Sequence, residues 1–127
     1  MRALLDADIL IWHLRGERKA ADYLRKLAVD PDLELWTGAM QRAEVLFFMR
    51  PQEEEQTMML LSRVRTVAVD QAIVDEAGRL FRKWHPSHGI DPNDAILAAT
   101  ALTKGGQIHT LNRKHYPMND VVVARAW

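Results

Sequence analysis

Cysteine is absent from this chain of 127 residues, and no long apolar run is present either. The absence of cysteine excludes disulfide bonds, thiolate metal sites and cysteine nucleophiles together, and it suits a reducing compartment such as the cytoplasm. Asp6 and Asp8 interrupt the apolar start of the chain, which leaves no segment suited to a signal peptide or a membrane span. We therefore expect a cytoplasmic protein without a membrane partner.

A charge excess of either sign is also missing, because 17 Lys and Arg residues balance 17 Asp and Glu residues. The overall basic excess of many nucleic-acid binders is not found here, so a polyanionic substrate would need a local basic patch or a bound metal. Hydrophobic residues make up 48% of the chain, which is ample for one packed core. No linker or shift in composition interrupts the sequence, and a single domain over residues 1–127 is expected.

Predicted strands and helices alternate along the whole chain. A short buried strand ends at Asp6 and leads into a helix that stops near Gly16. Further strands are predicted at residues 33–37, 66–69 and 107–111, with an edge strand at 121–123. Further helices are predicted at residues 17–29, 39–49, 52–65, 70–84 and 91–104, and the segment Pro86–Gly89 is expected to end the fourth of these. This alternation favours an α/β sandwich around a mostly parallel sheet.

Three carboxylates from distant parts of the sequence are candidates for a shared site. Asp6 follows the first strand, and ligands of open α/β sheets lie beyond the carboxyl ends of strands. Asp94 stands in the first turn of a helix, and Glu44 is the ionisable group of the apolar stretch Ala43–Phe48. Packed side by side, these groups would repel one another unless a proton or a hard cation intervenes. Each also has an ordinary interpretation, as helix caps for Asp6 and Asp94 and as an exposed side chain for Glu44.

Four segments resemble the motifs of PIN domains and occur in the order of that family. They are Leu4–Ile11, Arg42–Val45, Asn93–Ala101 and Thr110–Tyr116. Together they extend over nearly the whole chain, and the compact size resembles the VapC-type toxins of toxin-antitoxin pairs. The resemblance implies a three-layer α/β/α sandwich with a mostly parallel central sheet.

The same resemblance implies an endoribonuclease that depends on magnesium or manganese. Asp6, Glu44 and Asp94 match the acidic positions that bind the metal, and Asn112 falls at the fourth position of the site. The metal would activate a water for attack on an RNA phosphodiester, so no Ser, Cys or His nucleophile is required. The five histidines show no regular metal-ligand spacing, and none is assigned to metal.

Two positions depart from the pattern of the family. Asp8 stands where asparagine is usual, and it either adds a carboxylate to the site or caps the helix, which we favour. Asn112 stands where aspartate is frequent, and its amide is a weaker ligand for a hard cation. Asp91, one helical turn before Asp94, either compensates for this change or caps its own helix.

Surfaces for RNA and for protein partners are also suggested. Arg42, Arg113 and Lys114 flank the acidic motifs and are candidates for contacts with RNA phosphates, although solvent exposure alone would explain each of them. The predicted helix 39–49 carries five apolar residues in succession at Val45–Met49, more than one buried stripe accommodates. By resemblance, this surface would serve a homodimer and an antitoxin that covers the acidic site.

Two other functions remain as alternatives. An aspartate-nucleophile phosphatase of the haloacid dehalogenase type would use Asp6 from the pair Asp6 and Asp8. It also requires a serine or threonine after a second strand and a lysine, and it gives Glu44 no function. The second alternative is a PIN-fold binding protein without catalysis, which Asn112 alone suggests.

Overall fold

The computed structural model describes all 127 residues, which form a five-stranded sheet with helices on both faces. The strands are β1 (Arg2–Leu5), β2 (Glu34–Gly38), β3 (Arg65–Val67), β4 (Gln107–Thr110) and β5 (Val123–Arg125). The helices are α1 (Ala7–Leu14), α2 (Arg18–Ala28), α3 (Ala39–Phe47), α4 (Glu54–Ser62), α5 (Gln71–His88) and α6 (Pro92–Lys104). Short 3-10 helices lie at Pro51–Glu53 and Arg113–His115. No helix combines the length and the apolar character needed to cross a membrane.

The sheet has the order β3-β2-β1-β4-β5, and every neighbouring pair of strands is parallel. Ala3, Leu4 and Leu5 of the central β1 are fully buried, because helices cover a parallel sheet on both faces. Leu4 points into the core beneath α5 and α6, and Leu5 points into the core beneath α1 to α4. The predicted three-layer sandwich is confirmed, with a sheet that is wholly rather than mostly parallel.

The start of α6 is well determined by its sequence. Asp91 is the N-cap, and its Oδ1 accepts the N–H of Asp94 at 2.8 Å, while Pro92 is the first helical residue. Small side chains then bring α6 close to the sheet and to α5. The buried ones among them are Ala95, Ala98, Ala99, Thr100 and Ala101. Capping and packing together determine where Asp94 lies relative to the sheet.

The long helix ends within the predicted segment Pro86–Gly89, but it passes Pro86 before it stops. Pro86 lies inside α5, which continues to His88. Gly89 then adopts a left-handed conformation with φ of 61°, and its N–H donates to the carbonyl of His85 at 2.8 Å. The proline removes one backbone donor within the last turn, where the glycine cap and the contact of His85 Nδ1 with the Ile90 carbonyl at 2.9 Å complete the helix end.

Three other predicted boundaries differ from the structure. The edge strand begins at Val123 instead of residue 121, because Val121 is buried in the core before the pairing of Val123 with Ile108 begins. The predicted helix 52–65 is divided into a 3-10 helix and α4, and α3 ends at Phe47, two residues earlier than expected. These differences leave the order of elements unchanged.

Candidate metal centre

Asp6 follows β1 at the carboxyl edge of the sheet and caps α1. Its Oδ1 accepts the N–H of Ala7 at 2.8 Å. Its Oδ2 accepts the hydroxyl hydrogens of Thr110 at 2.9 Å and of Tyr116 at 2.7 Å. The residue is only 8% exposed. Three donors therefore hold this carboxylate in one orientation at the centre of the sheet edge.

Asp94 lies beside Asp6 because α6 begins at the same edge of the sheet. The hydroxyl oxygen of Tyr116 is 3.4 Å from Asp94 Oδ1, so the phenol stands between the two carboxylates. Burial, together with the negative charge of Asp91, raises the pKa of Asp94 to about 7. His115 Nδ1 lies 3.5 Å from Asp94 Oδ2 on the more exposed side.

Glu44 reaches the same region from α3. The side-chain amide of Asn93 donates to Glu44 Oε1 at 3.1 Å, which links α3 to the first turn of α6. Burial raises the pKa of Glu44, the hydrogen bond from Asn93 opposes this change, and the charge of Asp6 adds to it. In addition to burial, the charge of Asp6 raises the pKa of both Glu44 and Asp94, which places both groups within its electrostatic reach.

Asp8 and Asp91 lie at the same edge, but protein donors occupy much of their capacity. Asp8 Oδ1 accepts the N–H of Ile9 at 2.7 Å, and its Oδ2 accepts the N–H of Leu111 at 3.0 Å and lies 3.2 Å from the hydroxyl oxygen of Thr110. Burial, and then the charge of Asp6, raises the pKa of Asp8. Asp8 thus connects α1 to the chain after β4 through Leu111, whereas Asp91 caps the first turn of α6 through the N–H of Asp94.

The remaining predicted residues lie at the rim. Asn112 is exposed, and its side-chain amide contacts His115 Nε2 at 2.9 Å. Arg113 and Lys114 are exposed on the 3-10 helix that follows Asn112. Arg42 donates to the hydroxyl of Thr66 at 3.4 Å. None of these four hydrogen-bonds to the three central carboxylates.

Sequence reasoning did not single out Thr110, Tyr116 or His115 as site residues. All three belong to the segment that follows or ends β4, which lies next to β1 with Leu5 paired to His109. A signal was present, because carboxyl ends of neighbouring parallel strands meet at one edge, and polar residues after β4 must therefore approach Asp6.

The donor set suits a hard divalent cation. Carboxylate oxygens are the ligands that magnesium and manganese prefer, and a cation would offset the repulsion among the buried Asp6 and Asp94 and the half-buried Glu44. As the side chains stand, no three acidic or histidine groups are placed around one ion. The fit therefore rests on the chemistry of the donors and on their shared electrostatic environment.

A parallel sheet in this order, with carboxylates gathered at its edge, defines the class as a PIN domain. The family model for the PIN domain matches residues 3–120, and the chain belongs to that family. Ribonuclease VapC10 of Mycobacterium tuberculosis is 35% identical over 116 residues, covering 91% of this chain and 86% of the relative. Ribonuclease VapC19 of the same organism is 35% identical over 91% of this chain and 92% of its own length. The predicted similarity to PIN domains and VapC proteins is confirmed.

A solved structure agrees with this assignment. One chain of a toxin-antitoxin complex from Klebsiella pneumoniae superposes with a TM-score of 0.79 and 25% sequence identity. The match covers 98% of both chains. The layers and the sheet described above are therefore those of this relative as well.

Proposed function

We propose that this protein is a metal-dependent endoribonuclease and the toxin of a toxin-antitoxin pair. The observation that carries the proposal is the approach of Asp6, Glu44 and Asp94 from β1, α3 and α6 to one edge of the sheet. The relatives VapC10 and VapC19 are ribonucleases by name, which supports RNA as the substrate. The similar Klebsiella chain comes from a toxin-antitoxin complex, which supports an antitoxin as the partner.

In this proposal Asp6, Glu44 and Asp94 hold magnesium or manganese. When bound there, the cation would supply a water of lowered pKa and would offset negative charge that develops on the phosphate. Asp8 and Asp91 have supporting roles, because backbone N–H groups already occupy oxygens of both side chains. The cluster provides no serine or cysteine nucleophile, and hydrolysis by an activated water requires none.

Residues around the cluster orient the ligands and face the substrate. Asn93 holds Glu44 through its amide, and Thr110 holds Asp6 through its hydroxyl. With Asn112 donating to His115 Nε2, the other imidazole nitrogen carries the proton and faces Asp94. Arg113 and Lys114 are exposed beside this pair, where contacts with RNA phosphates would position the strand. Arg42 is a weaker candidate for a contact with RNA, because its guanidinium donates to the hydroxyl of Thr66.

The direct test is cleavage of a mixed pool of transfer and ribosomal RNA by the purified protein. We expect cuts with Mg²⁺ or Mn²⁺, no cuts with EDTA, and a loss of at least about 100-fold in rate for Asp6→Asn and Asp94→Asn, since each removes a charged ligand. Asp32→Asn is the matched control, because Asp32 is exposed and precedes β2 at the opposite edge of the sheet. Equal behaviour of the wild type and both site variants would favour the binding protein without catalysis.

A homodimer and an antitoxin are proposed as partners of the surface formed by the end of α3. Phe47 is 74% exposed and Phe48 is 69% exposed, whereas Val45 of the same helix is buried. Two neighbouring aromatic side chains in water favour a protein partner, because their burial would remove a large apolar area from solvent. This surface is continuous along α3 with the segment that carries Glu44, so a partner there lies close to the acidic site.

A further inference from the structure

Tyr116 carries a buried hydroxyl group to which the proposed reaction assigns no role. The residue is 4% exposed, and its ring belongs to the core beneath α5 and α6. Its hydroxyl reaches 2.7 Å from Asp6 Oδ2 and 3.4 Å from Asp94 Oδ1. A phenylalanine would fill the same space in the core, so packing alone does not explain the hydroxyl.

The hydrogen bonds at Asp6 show what this hydroxyl changes. A phenol has one hydrogen to donate, and the shorter contact indicates that Asp6 Oδ2 receives it. The same oxygen accepts the hydroxyl of Thr110 at 2.9 Å, so both of its lone-pair directions are occupied. Asp6 Oδ1 accepts only the N–H of Ala7 and keeps one direction free. Tyr116 therefore determines which oxygen of Asp6 is available to a ligand.

We propose that Tyr116 is a positioning residue for the metal site. Its hydroxyl donates to Asp6 Oδ2, leaves Asp6 Oδ1 for the cation and holds Asp6 beside Asp94. The inference rests on the proposed metal-dependent function and adds a residue to it. A carboxylate that is already oriented by hydrogen bonds loses less conformational entropy when it binds an ion. Loss of such an outer contact usually weakens metal binding about 10- to 100-fold.

The test compares Tyr116→Phe with Tyr23→Phe. Both variants remove one phenol oxygen, but the Tyr116 hydroxyl contacts Asp6 and Asp94, whereas the Tyr23 hydroxyl contacts His109 Nδ1. Mn²⁺ binding would be measured by titration calorimetry without RNA, together with thermal unfolding in EDTA. We expect the dissociation constant of Tyr116→Phe to rise about tenfold. Tyr23→Phe is expected to bind Mn²⁺ as the wild type does.

A kinetic measurement separates positioning from a structural role. For Tyr116→Phe, the Mn²⁺ concentration that gives half-maximal cleavage should rise by the same factor as the dissociation constant, while kcat at saturating Mn²⁺ stays within about twofold of the wild type. An unchanged dissociation constant would overturn the role of Tyr116 and leave the proposed nuclease intact, provided that the wild type binds Mn²⁺ and cleaves RNA. A lowered unfolding temperature without a change in affinity, or loss of the fold, would make the hydroxyl structural and would also overturn it. A wild type that binds no Mn²⁺ would overturn both proposals.

Discussion

Asp94 shows how a single residue links the acidic site to the stability of the fold. Its pKa in the folded protein is about 7, against an ordinary value of 3.8, mainly because it is buried. Between these values the folded protein binds more protons than the unfolded chain. The favourable contribution of protonated Asp94 is therefore fully present below about pH 4 and is lost as the pH rises through about 7.

Replacement of this carboxylate should accordingly stabilise the metal-free protein. In EDTA at pH 8, we expect Asp94→Asn to raise the free energy of unfolding by ~2 kcal/mol. Each unit by which the pKa is raised corresponds to about 1.4 kcal/mol, and relaxation of neighbouring side chains reduces the total. The gain should shrink as the pH falls towards 4. Urea unfolding at a series of pH values measures it. A gain in stability that is the same at every pH, or a gain of equal size in Asp32→Asn, would contradict the raised pKa of Asp94 as its cause.

The junction of β2 and α3 shows how one element positions the site. Gly38 is the N-cap of α3, and a Cβ at this residue would overlap Oε1 of Gln41 and lie 3.1 Å from Cδ1 of Leu97. Gln41 is 1% exposed and Leu97 is fully buried, so neither side chain has open space beside it. A side chain at residue 38 must therefore displace the enclosed side chain of Gln41, whose amide donates to the Asn93 carbonyl of α6 at 3.4 Å, and so disturb the contact of α3 with α6.

We expect Gly38→Ala to lower the free energy of unfolding by about 1–3 kcal/mol through overpacking. The displacement of α3 should also reduce RNA cleavage, because α3 carries Glu44 and α6 carries Asp94. Chemical denaturation and the cleavage assay measure the two effects. Gly78→Ala is the control: its Cβ would lie 3.3 Å from the flexible end of Arg82, and alanine favours a helix by about 1 kcal/mol over glycine. A Gly38→Ala protein as stable and active as the wild type would contradict the packing argument.

The elements that could be predicted from the sequence are those with local signals. The start of α6 follows from Asp91 and Pro92, and the start of α5 follows from Asp70, whose Oδ1 accepts the N–H of Ile73 at 3.0 Å. The end of α5 lies within the predicted segment Pro86–Gly89, and the cap at Gly89 rather than Pro86 determines its last residue. The position of β5 was missed because its bounds depend on pairing with β4, which is a tertiary property.

The same distinction applies to the candidate site. Asp6, Glu44 and Asp94 were selected because they match motif positions, and they lie at the same edge of the sheet, where Asn93 links Glu44 to α6 and Tyr116 links Asp6 to Asp94. Thr110 and Tyr116 act through hydrogen bonds across more than 100 residues of sequence. No local periodicity reveals that β4 lies beside β1, so the position of these polar residues after a strand was a signal that could be used only with the strand order of the structure.

For the whole molecule, the exposed aromatic residues of α3 provide the test of self-association. We expect the wild type to be a dimer in light scattering, and the double substitution Phe47→Ser and Phe48→Ser to shift it towards the monomer by at least tenfold in dissociation constant. The reason is the loss of apolar area, at about 25 cal/mol per Å². Val29→Ser is the control, because Val29 is 74% exposed at the far end of α2. A monomeric wild type would contradict the homodimer. Titration of the monomer with antitoxin would then test whether this surface binds the antitoxin.

The contact between Asp6 and Tyr116 joins residues that are 110 positions apart. During translation, the ribosome would synthesise this stretch in roughly 5–20 s at ordinary elongation rates. A nascent chain that has not yet released β4 and the following segment lacks the hydroxyl groups that orient its first carboxylate. If the protein cleaves RNA as proposed, the nascent chain therefore has its oriented acidic site only after β4 has emerged from the ribosome and paired with β1.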